Sequence, residues 1–131
     1  MSQSAVGKRY LRSYTPIGLM VIKGPKEKFS QGSRWTVGDK QGYAKLLLMR
    51  DSRAYYKNTL YIEQIEIKKK LRGRGYGRKL YQKVENFARN LGIDFIQLDS
   101  EREAVGFWHK IGFKDLNIVY YQNKTAMLKK L

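Results

Sequence analysis

The chain has 131 residues, which suits a single domain burying roughly two thirds of its unfolded surface and leaves no room for two. It contains no cysteine, which excludes disulfides, thiolate zinc sites and a cysteine nucleophile and agrees with a reducing compartment. Lysine and arginine total 27 against 11 acids, a formal net charge of +16.

Through Thr59 the balance is 12 basic to 3 acidic residues and beyond it 15 to 8, so the excess is spread along the chain and not held in a tail. Such a field draws polyanions, whether nucleic acid, ribosomes or a phosphate-rich cofactor. The plainer reading is a solubility habit of the source organism. The opening Met-Ser-Gln-Ser-Ala-Val-Gly-Lys lacks the charged-then-apolar pattern of a signal peptide. No apolar run approaches the ~18 residues of a membrane span. The expectation is a soluble, cytoplasmic protein.

The first 40 residues read as irregular, with glycines at 7, 18, 24, 32 and 38 and prolines at 16 and 25. Within them Ile17 to Lys23 reads as a short strand stopped by Gly24-Pro25. Tyr43 to Arg50, bounded by Gly42 and Asp51, reads as a second strand, and Leu60 to Lys68 as a third after a polar connection. The third strand slips its own period: Ile65 and Ile67 share a face, but Ile62 is out of phase. One extra residue near Glu63 or Gln64, a β-bulge, restores the phase, although a strand buried on both faces would also explain it.

From Tyr76 the apolar period becomes helical, through Leu80, Val84, Phe87 and Leu91, and Gly92 supplies the stop. Ile93 to Asp99 follows as a short strand, so strand, helix and strand form a crossover with parallel strands. Ser100 with Glu103 reads as a capping box for a second helix reaching about Lys110, ended by Gly112. The tail reads as a hairpin, Asn117–Tyr121 with Thr125–Lys130.

The densest chemistry lies between the third strand and the first helix, in Arg72-Gly73-Arg74-Gly75-Tyr76-Gly77-Arg78. Glycine admits positive φ and close approach to backbone amides. The first helical turn presents unpaired N–H groups at the positive end of the dipole. Arg72, Arg74 and Arg78 add forked donors suited to phosphate, so a pyrophosphate is the natural guest. A dinucleotide fingerprint would need glycine where Arg78 stands, and a Walker A loop would need Gly-Lys-Ser/Thr, which is absent.

What remains, R-x-x-G-x-G from Arg72 to Gly77, resembles the acetyl-CoA motif of the GNAT superfamily of N-acetyltransferases. Ala104-Val-Gly-Phe-Trp108-His-Lys-Ile-Gly112-Phe113 is similar to that superfamily's next helix and turn, and Thr125 to Leu131 resembles its last strand. The resemblance implies an α/β, GNAT-like domain over residues 1–131, with a mixed, mostly antiparallel sheet flanked by helices. It also implies acetyl-CoA as cosubstrate, with the pyrophosphate on the Gly73, Gly75 and Gly77 amides and on Arg72 and Arg74, within a segment that includes Tyr76 and Arg78. The pantetheine arm would pair with splayed backbone near Ile65 to Ile67. An amine would attack the thioester directly, with Glu63, or else Glu66, as base. An ordinary cross-strand ion pair is the competing reading of Glu63.

Two departures from the family pattern bear on function. Trp108 stands in the cofactor site where many members place a tyrosine that reprotonates the leaving thiolate, and indole cannot act as that acid. Members also carry two helices after the first strand as a wall of the acceptor site, and residues 1 to 42 are too short and glycine-rich for a convincing pair. This reduced N-terminal region implies an open groove for a macromolecular acceptor. A lysine or N-terminus on a nucleic-acid-associated protein is the preferred acceptor, with aminoacyl-tRNA as the alternative. The competing classes are a basic nucleic-acid-binding module of this fold, possessing little or no catalysis, and an acyl-CoA sensor. His109 reads as a solvent-facing helix residue, and Lys68 to Lys70 as a solvated strand end near the CoA 3′-phosphate.

Overall fold

The computed structural model describes residues 18–28, 32–49, 58–119 and 123–131. In chain order these form strands β1 (Met20–Lys28), β2 (Gly32–Gly38), β3 (Gly42–Met49) and β4 (Thr59–Ile67), helix α1 (Tyr76–Asn90), strand β5 (Phe95–Ser100), helix α2 (Val105–Ile111), and strands β6 (Lys114–Val119) and β7 (Thr125–Lys130). They make one seven-stranded sheet in the order β1-β2-β3-β4-β5-β7-β6. Every neighbouring pair is antiparallel except β4 with β5, which the α1 crossover joins in parallel, as the helical period between them predicts. No helix among the described residues is long and apolar enough to cross a membrane.

The N-terminal strands depart from the sequence reading. Ile17 lies outside the described residues, and β1 continues through Gly24-Pro25 to Lys28 instead of stopping there. It accommodates them with register shifts between Val21 and Lys23 and between Lys23 and Lys26. As the sheet's edge, β1 tolerates both the bulges and a residue without an N–H. Gly24 has φ +112°, and a Cβ there would stand 2.6 Å from the Arg34 carbonyl oxygen. Residues 32–38, read as irregular, are strand β2, which alternates Ser33, Trp35 and Val37 into the interior. Three residues separate β1 from β2, so the two-helix wall has no room between them.

The core lies between the sheet and α1, whose Leu80, Val84 and Phe87 are fully buried with Leu46, Leu60 and Ile96 of the strands. Trp108 of α2 is 6% exposed and meets Tyr81 and Phe113 edge to face at centroid separations of 5.5 and 5.2 Å. Helix α2 ends at Gly112 as expected, but its start differs. Ser100 is strand, in register with Thr125, and its hydroxyl donates to the Glu101 carbonyl at 2.7 Å. The expected capping box therefore does not form; an uncapped 3₁₀ turn, Arg102–Ala104, leads into the helix. Strand β6 begins three residues earlier than Asn117, and residues 120–122 lie outside the described set.

Two buried acids bind α1 to the sheet. The Asp39 carboxylate accepts the Gln41 and Gly42 amides at 2.8 and 3.0 Å and the Lys83 ammonium at 2.9 Å. Glu85, whose side chain is 6% exposed, accepts from Tyr81 at 2.9 Å, Lys129 at 2.5 Å and Arg89 at 3.2 Å. Burial alone would raise the Glu85 pKa, but the Lys129, Tyr81 and Arg89 interactions outweigh it and hold the carboxyl below its usual 4.5. A lowered folded-state pKa stabilises fully above the unfolded value, and that stability fades as pH falls through the folded one. Glu85→Ala is therefore expected to cost about 3 kcal/mol in urea unfolding at pH 7, because it strands a largely buried ammonium. The gap between wild type and Glu85→Gln should shrink as pH drops below 4.5.

Candidate active site

Strand β4 sets the geometry. Lys45 pairs with Gln64 and Leu46 with Ile62, leaving Glu63 as the extra residue, so the bulge inferred from the slipped period is present. Parallel pairing of β4 with β5 ends at Ile62 and Leu98. Beyond it β5 stays with β7 through Ser100, whereas β4 stays with β3 through Ile67. The two strands diverge, and β4 from Glu63 to Ile67 has no strand on its β5 side among the described residues. A bulge re-aims the backbone, and here it leaves amides and carbonyls open to a ligand that pairs as an extra strand.

The wedge between the strands holds two adjoining cavities, both lined by Ile65, Ala104 and Trp108. One, of about 460 Å³, runs along Glu66 and Ile67 to Arg72, Gly77 and Phe107. The other, of about 400 Å³, is lined by Glu63, Gln64, Asp99, Ser100, Glu101 and Lys124. An apolar groove reaching Arg72 and Gly77, on either side of the glycine turn, thus adjoins a polar chamber at the bulge.

At the turn, Gly73 and Gly75 both have φ +81°, and a Cβ on either would meet nothing within 4 Å. The left-handed backbone requires glycine there, while the surrounding space stays open for a ligand. Gly75 is the N-cap of α1 and no side chain caps the helix, so the first-turn N–H groups of Tyr76, Gly77 and Arg78 face outward, unpaired within the helix. Arg74 and Arg78 are exposed beside them. These groups fit the phosphates of a CoA thioester, and the apolar groove fits its arm. Arg72 is used differently: its guanidinium donates to the Ile67 carbonyl at 3.1 Å and to Glu66 at 3.0 Å, bracing the turn against β4.

The two candidate bases occupy opposite ends. Glu63 lines the polar chamber, where Arg34 grips both its oxygens at 2.8 and 2.9 Å. The cross-strand ion pair weighed from sequence is thus present, and it fixes the carboxylate's orientation. Glu66 lines the groove and accepts from Tyr43 at 2.8 Å and Gln64 at 3.2 Å as well as from Arg72. The hydrogen bond to Glu66 raises the Tyr43 pKa. Glu66 is therefore held beside the groove and Glu63 in the polar chamber.

Sequence reasoning missed Asp99, which lines the polar chamber. Its Oδ2 accepts from the Tyr61 hydroxyl, and its Oδ1 is buried without a hydrogen-bond partner among the described residues. The one local signal was an aspartate at the C-terminal end of the parallel strand β5. His109 is exposed on α2 and pairs with Asp115 at 2.7 Å, away from both cavities.

Residues 26–113 match the family model described as the acetyltransferase (GNAT) family. Among solved structures, the chain is similar to the PaiA N-acetyltransferase of Thermoplasma acidophilum in complex with coenzyme A, at TM-score 0.57 and 18% identity, covering 75% of this chain and 60% of that one. A Lactobacillus plantarum protein described as an N-acetyltransferase aligns at TM-score 0.61 and 16% identity over 99% of this chain and 94% of its own. An acyl-CoA N-acyltransferase of Pseudomonas aeruginosa aligns at TM-score 0.59 and 18% identity over 74% and 66%. At these identities the likeness is one of fold. Joined to the family match, the bulged β4 and the glycine turn, it establishes that the chain belongs to the acetyltransferase (GNAT) family, whose members take their acetyl group from acetyl-CoA.

Proposed function

We propose that the protein transfers the acetyl group of acetyl-CoA to a primary amine by direct attack on the thioester. The preferred acceptor is a lysine or N-terminus of a protein associated with nucleic acid. The observation that carries the transfer is the pair of adjoining cavities reaching from Arg72 and Gly77, at the start of α1, to the Glu63 bulge. The first-turn amides of α1, with Arg74 and Arg78, hold the phosphates, while the open edge of β4 at Ile65 to Ile67 and the wall formed by Phe107 and Trp108 orient the arm. The bound donor supplies an activated acetyl carbonyl. Glu63, at the acceptor end, takes the proton of the attacking amine; the other carboxylates lining that end are Asp99, bonded to Tyr61, and Glu101, paired with Lys124.

The chain's own charge supports the acceptor class. A field of +16 repels a free polyamine or basic peptide and steers the enzyme toward an amine presented on a polyanion. The absence of a helical wall between β1 and β2 suits a large acceptor. The reading is tested by following thiol release from acetyl-CoA with free polyamines, a lysine peptide, ribosomes and aminoacyl-tRNA as acceptors. Release driven by the nucleic-acid assemblies and not by polyamines is expected. Release with polyamines alone would overturn the acceptor class, and release driven by aminoacyl-tRNA alone would move the acceptor to its α-amino group.

A nucleic-acid-binding protein with little or no catalysis is the second reading, and Trp108 favours it. Its indole lines both cavities, and its N–H, a hydrogen-bond donor, is far too weak an acid to protonate a leaving thiolate. Binding of acetyl-CoA without release to any acceptor would decide for a sensor, and binding of nucleic acid alone for the module.

A further inference from the structure

Between Glu66 and Asp94 the chain carries nine cations and a single acid, Glu85. That acid is buried and satisfied by Tyr81, Lys129 and Arg89. Of the nine cations, Arg72 is spent on Glu66, Lys83 on Asp39 and Arg89 on Glu85. The other six, Lys68, Lys69, Lys70, Arg74, Arg78 and Lys79, are exposed and have no acidic partner among the described residues. The outer face of α1 continues the strip with exposed Gln82, Asn86 and Arg89, and it bears no exposed acid. None of the exposed large apolar side chains, Met20, Ile22 and Phe107, lies on this helix.

The donor's phosphates account for only part of this surface. They belong at the N-terminus of α1, whereas a helix of 15 residues extends about 21 Å from its first to its last residue at ~1.5 Å each. Gln82, Asn86 and the Glu85-paired Arg89 lie along that length. We infer that the 68–70 turn and the outer face of α1 bind the phosphate backbone of a nucleic acid, without reading base sequence. Lysine, arginine, asparagine and glutamine side chains are the usual donors to phosphate oxygens. A duplex presents its phosphates at close, regular spacing along the axis; the unpaired cations meet them at the 68–70 turn and the first turn of α1, and Gln82 and Asn86 continue the face as neutral donors. An anionic membrane fits less well, since surface-lying helices bury an apolar face and this one exposes none.

The inference gives a surface to the nucleic-acid association in the proposed function and rests on that reading only for its consequence, since the binding itself needs no catalysis. It is tested by fluorescence anisotropy with a labelled 20-base-pair duplex of arbitrary sequence over a series of salt concentrations. The test variant is Lys79→Glu, Gln82→Glu, Asn86→Glu. A control, Lys110→Glu, Lys114→Glu, changes net charge by the same four units at exposed positions elsewhere. The test variant should lose at least about 30-fold in duplex affinity and the control less than about threefold. Lys68→Gln, Lys69→Gln, Lys70→Gln should lower the slope of log affinity against log salt by about 2 to 3, near 0.9 per phosphate contact. Equal losses in test and control would overturn the inference, as would no duplex binding, or tighter binding to polyglutamate or phosphatidylserine vesicles. Acetyl-CoA affinity, measured on the same test variant, should persist; its absence from wild type would strike the proposed function and leave this surface standing.

Discussion

Arg74→Glu combined with Gly75→Glu is expected to weaken acetyl-CoA binding by at least about 100-fold, or about 2.8 kcal/mol. Both changes act at the turn where Gly73 and Gly75 hold φ +81° and α1 begins uncapped. A side chain at Gly75 strains a left-handed backbone by about 1–2 kcal/mol. The carboxylates add like charge where first-turn N–H groups and arginine await phosphate. Neither residue is buried, so the variant should remain folded, and a thermal melt alongside the titration separates lost binding from lost structure. Retained affinity in the folded variant would place the phosphates elsewhere.

Glu63→Gln is the second large effect, a fall of about 100-fold in kcat, the lower end of what a positioned acid–base group contributes. The amide keeps the size of the side chain, so acetyl-CoA affinity should stay close to wild type. Glu63 is the extra residue of the bulge and is oriented by Arg34 through two hydrogen bonds. Arg34→Met, which frees the carboxylate to rotate, should lower kcat less than Glu63→Gln. Asp99→Asn should chiefly raise KM for the amine. A large kcat loss in Asp99→Asn with Glu63→Gln near wild type would transfer the proton-accepting role to Asp99. Thiol-release kinetics with the acceptor found active supply all three measurements.

What the sequence disclosed was local. The helical spacing of Leu80, Val84 and Phe87 marks the buried stripe of α1, and the out-of-phase Ile62 marks the bulge at Glu63. Alternating Gly73 and Gly75 mark backbone that only glycine adopts comfortably. The glycine turn and the bulge at Glu63 were legible because each is written in a few consecutive residues. What orients the carboxylates of the polar chamber was not, because the contacts join distant residues: Arg34 with Glu63 across 29 positions and Tyr61 with Asp99 across 38.

Tertiary pairing also overrode local signals. Gly24-Pro25 reads as a stop, yet an edge strand with bulges absorbs it. Ser100 has the spacing of a capping box, yet its pairing with Thr125 keeps it in the sheet. Strand β2 escaped notice because its two large apolar residues, Trp35 and Val37, stand in a short run between glycines. No local pattern marks the burial of Glu85, which joins Tyr81 and Arg89 of its own helix to Lys129, 44 residues away.

The most direct test of the central claim, that the β4–β5 cleft and the Gly73–Gly75 turn form an acetyl-CoA site, is calorimetric titration of acetyl-CoA into the wild-type protein. Sub-millimolar binding of one acetyl-CoA per chain is predicted. A well-folded wild type that takes up none at millimolar acetyl-CoA would contradict the enzyme reading and leave a basic nucleic-acid-binding member of the family.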